Sequence, residues 1–326
     1  MDTKTKQRLL ALALALVVAL VSWAVKKVEE RRHPPQPGPA PADTAPPPHP
    51  PGQGPPVNPT APPASPHLLL GNPSNAVADA ARDPNNYLMT PRYFSLSYNR
   101  DRGGPNWVSW RLQRSDLGPA ERSEFRPDAS LPGEFRRITP RDYTNTGFDR
   151  GHLCPRSDRT ATQPMADSTF LMTNIVPQSP HLNQRAWNDL EEYTRGLLKL
   201  RTVLYVVAGV EGVGGEGSNG RADAIGGDRV TVPARCWKVV VVVEDGTGTA
   251  DDLGRITANS RVIAVLMPND QSVGHGWAKY RVSVADVEKL TGYVFFDRVP
   301  PAVASGLKAK VDDVRIPPVG KSKAGD

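Results

Sequence analysis

The hydrophobic pattern divides the chain into three unlike stretches. From Leu9 to Val25 the run LLALALALVVALVSWAV is apolar on every side, preceded by Lys4, Lys6 and Arg8 and followed at once by Lys26 and Lys27. As a helix rising about 1.5 Å per residue it spans roughly 26 Å, enough to cross a hydrocarbon core when flanking side chains reach to the interface. No clean small-x-small cleavage site follows, so residues 9–25 are expected to be an uncleaved signal anchor, with a cleaved signal peptide as the alternative. The short basic tail, residues 1–8, then stays inside and the remainder is exported. A mitochondrial presequence would be Arg-rich and amphipathic, unlike this run. The expected location is a membrane-anchored chain with its globular part periplasmic or at the cell surface, or a secreted one if the segment is removed.

Residues 26–66 form the second stretch, charged at first and then proline-rich. Residues 34–66 hold nearly half of the chain's 34 prolines and almost no bulky apolar side chains. Such a segment cannot bury enough surface to offset the entropy of ordering, and is expected to be a semi-extended spacer between membrane and domain. A peptide-docking role for its PxxP spacing is the alternative.

The third stretch, residues 67–319, has the patterning of a globular domain, with 320–326 as a flexible tail. YFSLSYN (93–99) and NWVSWRL (106–112) alternate apolar and polar positions around DRGGP and predict an antiparallel hairpin. Short β-branched runs at Val203–Ala208, Trp237–Val243 and Val262–Leu266 predict buried strands. Between Pro180 and Leu200 the period changes: Leu182, Ala186, Trp187, Leu190, Tyr193, Leu197 and Leu198 recur at helical spacing. A shorter helix is predicted over Ser283–Leu290, with Ser283 as N-cap, Asp286 three residues on and Gly292 past its end. Strands and helices do not alternate regularly. The pattern therefore favours an α+β fold, with a mainly antiparallel central sheet and flanking helices, over a doubly wound one.

Composition changes this picture little. The chain has 326 residues and a formal net charge of +6, which suits a polyanionic partner without requiring one. Its two cysteines, Cys154 and Cys236, exclude a disulfide framework and a Cys-based zinc module, and leave open whether they form one bridge or two separate core thiols. There is no Walker-type loop, no GxGxxG and no internal repeat.

Two segments carry chemistry. In GFDRGHLCP (147–155), His152 is a candidate general base with a pKa near neutrality, beside a phosphate-shaped donor at Arg150 and a backbone opened by Gly151. In TNIVPQSPHLNQRAWNDLEEYTR (173–195), Asn183, Trp187, Glu191 and Arg195 lie four apart, which sets them along one helical ridge. An amide and a carboxylate there can hold a hydrated Mg²⁺, with Asn183 as direct ligand and Glu191 acting through a water. The helix alone reads equally well as an amphipathic helix with a solvated edge, and a lone histidine as a structural one. Cys154 has no second Cys or His near it in sequence and is taken as a packing residue.

Together these segments resemble the DNA/RNA non-specific endonuclease family, the ββα-metal nucleases. The resemblance rests on DRGH (149–152), the TNIVPQ…LNQ…W..LE…R pattern (173–195), YVVAG (205–209), VPARCWKVVVV (232–242) and LTGYVFF (290–296), in family order. It implies a ββα-metal finger active site and a metal-dependent, sequence- and sugar-non-specific endonuclease that cuts DNA and RNA to leave 5′-phosphate ends. It further implies His152 as general base, Asn183 as the protein ligand of Mg²⁺ (Mn²⁺ able to substitute), and Glu191 as orienter of a metal-bound water. Arg150 and Arg195 would contact phosphate, and Asn174 would support the site. One more phosphate-binding arginine is implied upstream, with Arg122 and Arg126 as candidates. A homodimer fits the resemblance, and the sequence identifies no inhibitor partner. The competing readings are a non-catalytic, membrane-tethered nucleic-acid-binding or DNA-capture protein, a surface protein working through its proline-rich segment, and a hydrolase of small phosphoesters.

Overall fold

The run Val239–Val243 shows how the chain builds its sheet. All five valines are buried, which a one-faced strand cannot achieve, because successive side chains point to opposite faces. Here Val239, Val241 and Val243 enter one apolar cluster and Val240 and Val242 another. The sheet is therefore covered on both sides, and each valine so buried contributes about 1.5–3 kcal/mol relative to exposure.

The computed structural model describes residues 65–316. The expected basic tail and anchor (1–25), most of the spacer and the C-terminal tail lie outside these residues. No helix among the described residues is long and apolar enough to cross a membrane.

In chain order the strands are β1 (Tyr87–Met89), β2 (Ser95–Asn99), β3 (Gly104–Gln113), β4 (Asp149–His152), β5 (Ile175–Gln178), β6 (Val203–Glu211), β7 (Gly215–Gly217), β8 (Gly220–Ala222), β9 (Ala224–Ile225), β10 (Val230–Thr231), β11 (Arg235–Val243), β12 (Arg261–Pro268) and β13 (Arg281–Val282). Seven of them form one sheet in the order β1-β2-β3-β6-β11-β12-β13, antiparallel throughout. The helices are α1 (Gln163–Thr169), α2 (180–196), α3 (Val284–Thr291) and α4 (Pro301–Ala309). The fold is α+β with a large antiparallel sheet, as the pattern predicts.

One face of the sheet packs against Leu182, Ala186, Trp187 and Leu190 of α2. The other packs against Val284 and Val287 of α3, Leu307 of α4, and the entering segment Leu68–Leu70. α3 starts and stops as its sequence predicts: Ser283 and Asp286 form a capping box, and Gly292 ends the helix at φ +72°.

The predicted hairpin forms as β2–β3, but its alternation does not mean what it usually does. The polar alternates Ser95, Ser97 and Ser109 are buried. Ser97 Oγ donates to Asn86 Oδ1 at 2.8 Å and Ser109 Oγ to the His67 carbonyl at 2.6 Å. The N-terminal segment covers this face and accepts these two hydrogen bonds, so polarity at Ser97 and Ser109 marks a satisfied interior, whereas the buried Ser95 Oγ has no partner among the described residues.

Candidate active site

β4 and β5 pair antiparallel, from Asp149↔Gln178 to His152↔Ile175, and α2 follows at once, giving a strand–strand–helix unit beside the main sheet. Its β pair is tight for a local reason. A Cβ on Gly151 would meet Gln178 Oε1 at 2.2 Å, so only glycine lets that side chain lie across the strand. Beyond His152 the chain is held by Asn174, which is fully buried. The Asn174 amide accepts from Cys154 N at 2.9 Å and donates to the carbonyls of Cys154 and Thr169 at 2.8 and 2.9 Å. At the far end of β5 the buried Asn269 accepts from Ser179 N at 2.7 Å and donates to the Pro177 carbonyl, which fixes where α2 begins.

A cleft of about 420 Å³ opens over this unit, lined by Arg122, Phe125, Tyr143, Phe148, Asp149, Arg150 and Asn183. His152 is not itself among the lining residues; it lies behind Phe125, its ring 5.3 Å from that of Phe125 and 5.1 Å from that of Phe170. Its Nε2 is buried and without a hydrogen-bond partner among the described residues. Burial first, and then the charge of Arg122, lower the pKa of His152 to about 3. This lies below the near-neutral value expected from sequence: burial favours the neutral imidazole, which can accept a proton but is a weaker base than an exposed one. No hydrogen bond or ion pair engages the guanidinium of Arg122 or Arg150 among the described residues.

The Asn183 amide nitrogen donates to Asp149 Oδ2 at 2.8 Å, and Gln184 Nε2 donates to the same oxygen at 2.9 Å. A carboxylate only accepts, so Asp149 must face the nitrogen end of Asn183, which leaves the amide oxygen as the outward group. That oxygen and the Asp149 carboxylate are hard donors of the kind that suits a hydrated Mg²⁺ or Mn²⁺. Among the described residues no three His, Cys, Asp or Glu side chains gather as a metal cage. The donor set fits a cation that keeps most of its water.

α2 departs from the regular period assumed for the Asn183–Arg195 ridge. Pro180–Leu182 is α-helical, Asn183–Trp187 is a π turn and Asn188–Gly196 is again α. The wider turn shifts residues on either side of it relative to one another, a distortion common at functional sites. Asn183 lines the cleft, whereas Trp187 is buried in the core.

Glu191 and Arg195 are not among the cleft-lining residues. The Glu191 carboxylate accepts from Lys238 Nζ at 3.0 Å, and both side chains are largely buried. The Lys238 ammonium also lies 4.1 Å from the centre of the Trp187 ring. Burial raises the Glu191 pKa and Lys238 opposes the rise. Arg195 pairs with Asp158 at 3.1 Å, whose other oxygen accepts from Trp110 Nε1 at 2.9 Å. The structure thus brings Arg150, Asn183 and His152 together, sets Asn174 behind them, and ties Glu191 and Arg195 to internal partners.

Of the two exposed upstream arginines, Arg122 lines the cleft and Arg126 does not; Arg126 engages through its backbone, donating to the Phe170 carbonyl and accepting from Met172 N. Sequence reasoning missed Asp149, although it lies inside the DRGH motif, and Phe125 and Lys238, which carry no local mark. Cys154 and Cys236 are separate, buried thiols. Burial pushes the Cys154 thiol far above its usual range and that of Cys236 up to about 12, so both are inert packing groups.

A sequence profile described as "DNA/RNA non-specific endonuclease" matches residues 73–302. A protein named "Nuclease" from Nostoc sp. is 46% identical over 251 residues, which cover 76% of this chain and 87% of that one. Mitochondrial endonuclease G of Homo sapiens is 32% identical over 232 residues, covering 68% and 73% of the two chains. Among solved structures, a complex of EndoG with EndoGI, described as showing the mechanism of EndoG inhibition, superposes with a TM-score of 0.57 at 26% identity. It covers 72% of this chain and 91% of that one.

Proposed function

The chain belongs to the DNA/RNA non-specific endonuclease family and is an enzyme that hydrolyses nucleic acids, and from that premise we propose that it cuts DNA and RNA backbones without regard to sequence or sugar, at the cleft beside His152. The observation that carries this reading is the unpartnered Nε2 of a neutral His152 next to two arginines that no ion pair engages. A structural histidine would have its nitrogen satisfied.

In this reading Arg122 and Arg150 grip the non-bridging oxygens of one phosphate, contacts that position a backbone without reading bases. His152 Nε2 takes a proton from the attacking water. The new oxygen–phosphorus bond forms as the bond to the 3′ oxygen breaks, leaving a 5′ phosphate and a 3′ oxyanion that takes a proton from solvent water to become the 3′ hydroxyl. A Mg²⁺ or Mn²⁺ held by Asn183, with Asp149 behind it, supplies charge stabilisation at the phosphate when bound. Glu191, ion-paired with Lys238, would orient water around a bound cation, and Arg195, ion-paired with Asp158, would contact the phosphate. Residues 9–25, outside the described residues, are proposed to anchor the chain to a membrane.

A plasmid assay tests the reading. The full chain should nick supercoiled DNA and degrade RNA with Mg²⁺ or Mn²⁺, and chelation should stop both. Cutting that survives chelator refutes the metal assignment. Salt-sensitive binding without cleavage favours the DNA-capture alternative.

A further inference from the structure

Neither cleft arginine has a hydrogen-bonding side chain or a carboxylate to aim it, yet both lie over the same ring. The guanidinium carbon of Arg150 is 5.2 Å and that of Arg122 5.8 Å from the centre of Phe125, and Arg122 also lies 5.3 Å from the centre of Phe170, so that it sits between the two rings. The His152 ring is 5.3 Å from the same centre, tilted by 42°. Behind Phe125 stands Phe170, edge-on at 5.0 Å and fully buried. Phe125 itself lies in an irregular stretch, but Arg126 N donates to the Phe170 carbonyl at 3.1 Å and Met172 N to the Arg126 carbonyl at 3.0 Å. The loop is thereby pinned to the segment that carries Phe170. One partly exposed phenyl ring meets His152 and both cleft arginines.

We propose that Phe125 is a positioning residue, whose ring face aims Arg122 and Arg150 at the phosphate and whose contact with His152 holds the imidazole in line with them. This rests on the function proposed above. A cation over an aromatic face is attracted to the ring's negative quadrupole, and unlike an ion pair this contact consumes none of the guanidinium N–H groups, of which the Nε of Arg150 is buried without a partner. A carboxylate in its place would compete with the substrate phosphate for the same donors. The ring therefore orders the arginines without neutralising them.

The test uses the full chain, with F125L removing the π face at similar bulk and F125Y keeping it. Cleavage of a fluorescent DNA duplex with Mg²⁺ should fall about 10- to 100-fold in kcat for F125L, the scale of a small misplacement of reacting groups. F125Y should recover most of the rate. Thermal midpoints should agree, since the ring is partly exposed. In the F125L/R150A double variant the loss should be smaller than the product of the single losses, because the two residues act through one contact. F125L with wild-type kcat, or losses that multiply independently, overturns the proposal. Should F125L fail to fold, F125M replaces it under the same criteria. If the wild-type chain itself does not cut, the proposed function fails. The positioning role is then judged by NMR: the His152 ring and Arg150 side-chain signals must move in F125L and stay near their wild-type positions in F125Y, and unmoved signals in F125L refute it.

Discussion

Asn183 and Asp149, 34 residues apart, meet through a 2.8 Å hydrogen bond from the Asn183 amide nitrogen to Asp149 Oδ2. The bond joins the first strand of the ββα unit to its helix and decides which end of the amide faces outward. Asn183→Ala, which removes the oxygen, should abolish most cleavage. Asp149→Ala should raise the Mg²⁺ needed for half-maximal rate by about 10- to 100-fold, as loss of a partner behind a metal ligand does. Titrating cleavage rate against Mg²⁺ reads both, and an unchanged requirement in Asp149→Ala refutes the orienting role.

His152→Ala should lower kcat by about 10² to 10⁴ while leaving circular dichroism unchanged. Near-normal cutting by this variant would remove His152 from the mechanism.

The pH dependence of stability has a definite sign. Burial lowers the pKa of both His67 and His152 from 6.5 to about 3, so between these values the unfolded state binds protons that the folded state does not. Stability is therefore full above about pH 6.5 and is lost as pH falls towards 3, at up to about 1.4 kcal/mol per pH unit for each histidine. Urea denaturation from pH 4 to 7 should show a shallower slope in His152→Gln than in wild type. Equal slopes would show that His152 does not titrate in this way.

Arg122 and Arg126 separate cleanly. Arg122→Ala should weaken cleavage and make it less sensitive to salt, through the loss of one phosphate contact. Arg126→Ala should cut like wild type, because its loop is held by the backbone. The reverse ranking, read from rate against salt concentration, would reassign the phosphate contact.

The pair Lys238–Glu191 predicts a split between folding and chemistry. Lys238→Met leaves a buried carboxylate without its cation and should cost about 3–5 kcal/mol of stability. Adding Glu191→Gln should restore much of that loss but not the cleavage rate. Recovery of both would make Glu191 purely structural.

The elements of the fold were largely legible because each is written locally. Val239–Val243 is β-branched throughout, and Ser283, Asp286 and Gly292 stand at cap positions whose backbone needs are local. The polar positions Ser97 and Ser109 of the β2–β3 hairpin were misleading, because they donate to residues 67–86, which no period within the hairpin reports. The π turn at Asn183–Trp187 was hidden for a similar reason: helical spacing assumes a regular turn, and nothing in the local pattern marks the wider one.

For the site, the sequence by itself determined the residue types and their order: a histidine and an arginine in DRGH, and an asparagine on the helix 31 positions later, which together indicate phosphodiester chemistry. Only the tertiary structure decided that Asp149 turns Asn183, that Arg122 and not Arg126 enters the cleft, that Lys238 lies under Glu191, and that burial strips His152 of its proton. These are relations between segments far apart in the chain. Their distances and desolvation depend on how the strands, loops and helix pack, and no local pattern of side chains encodes them.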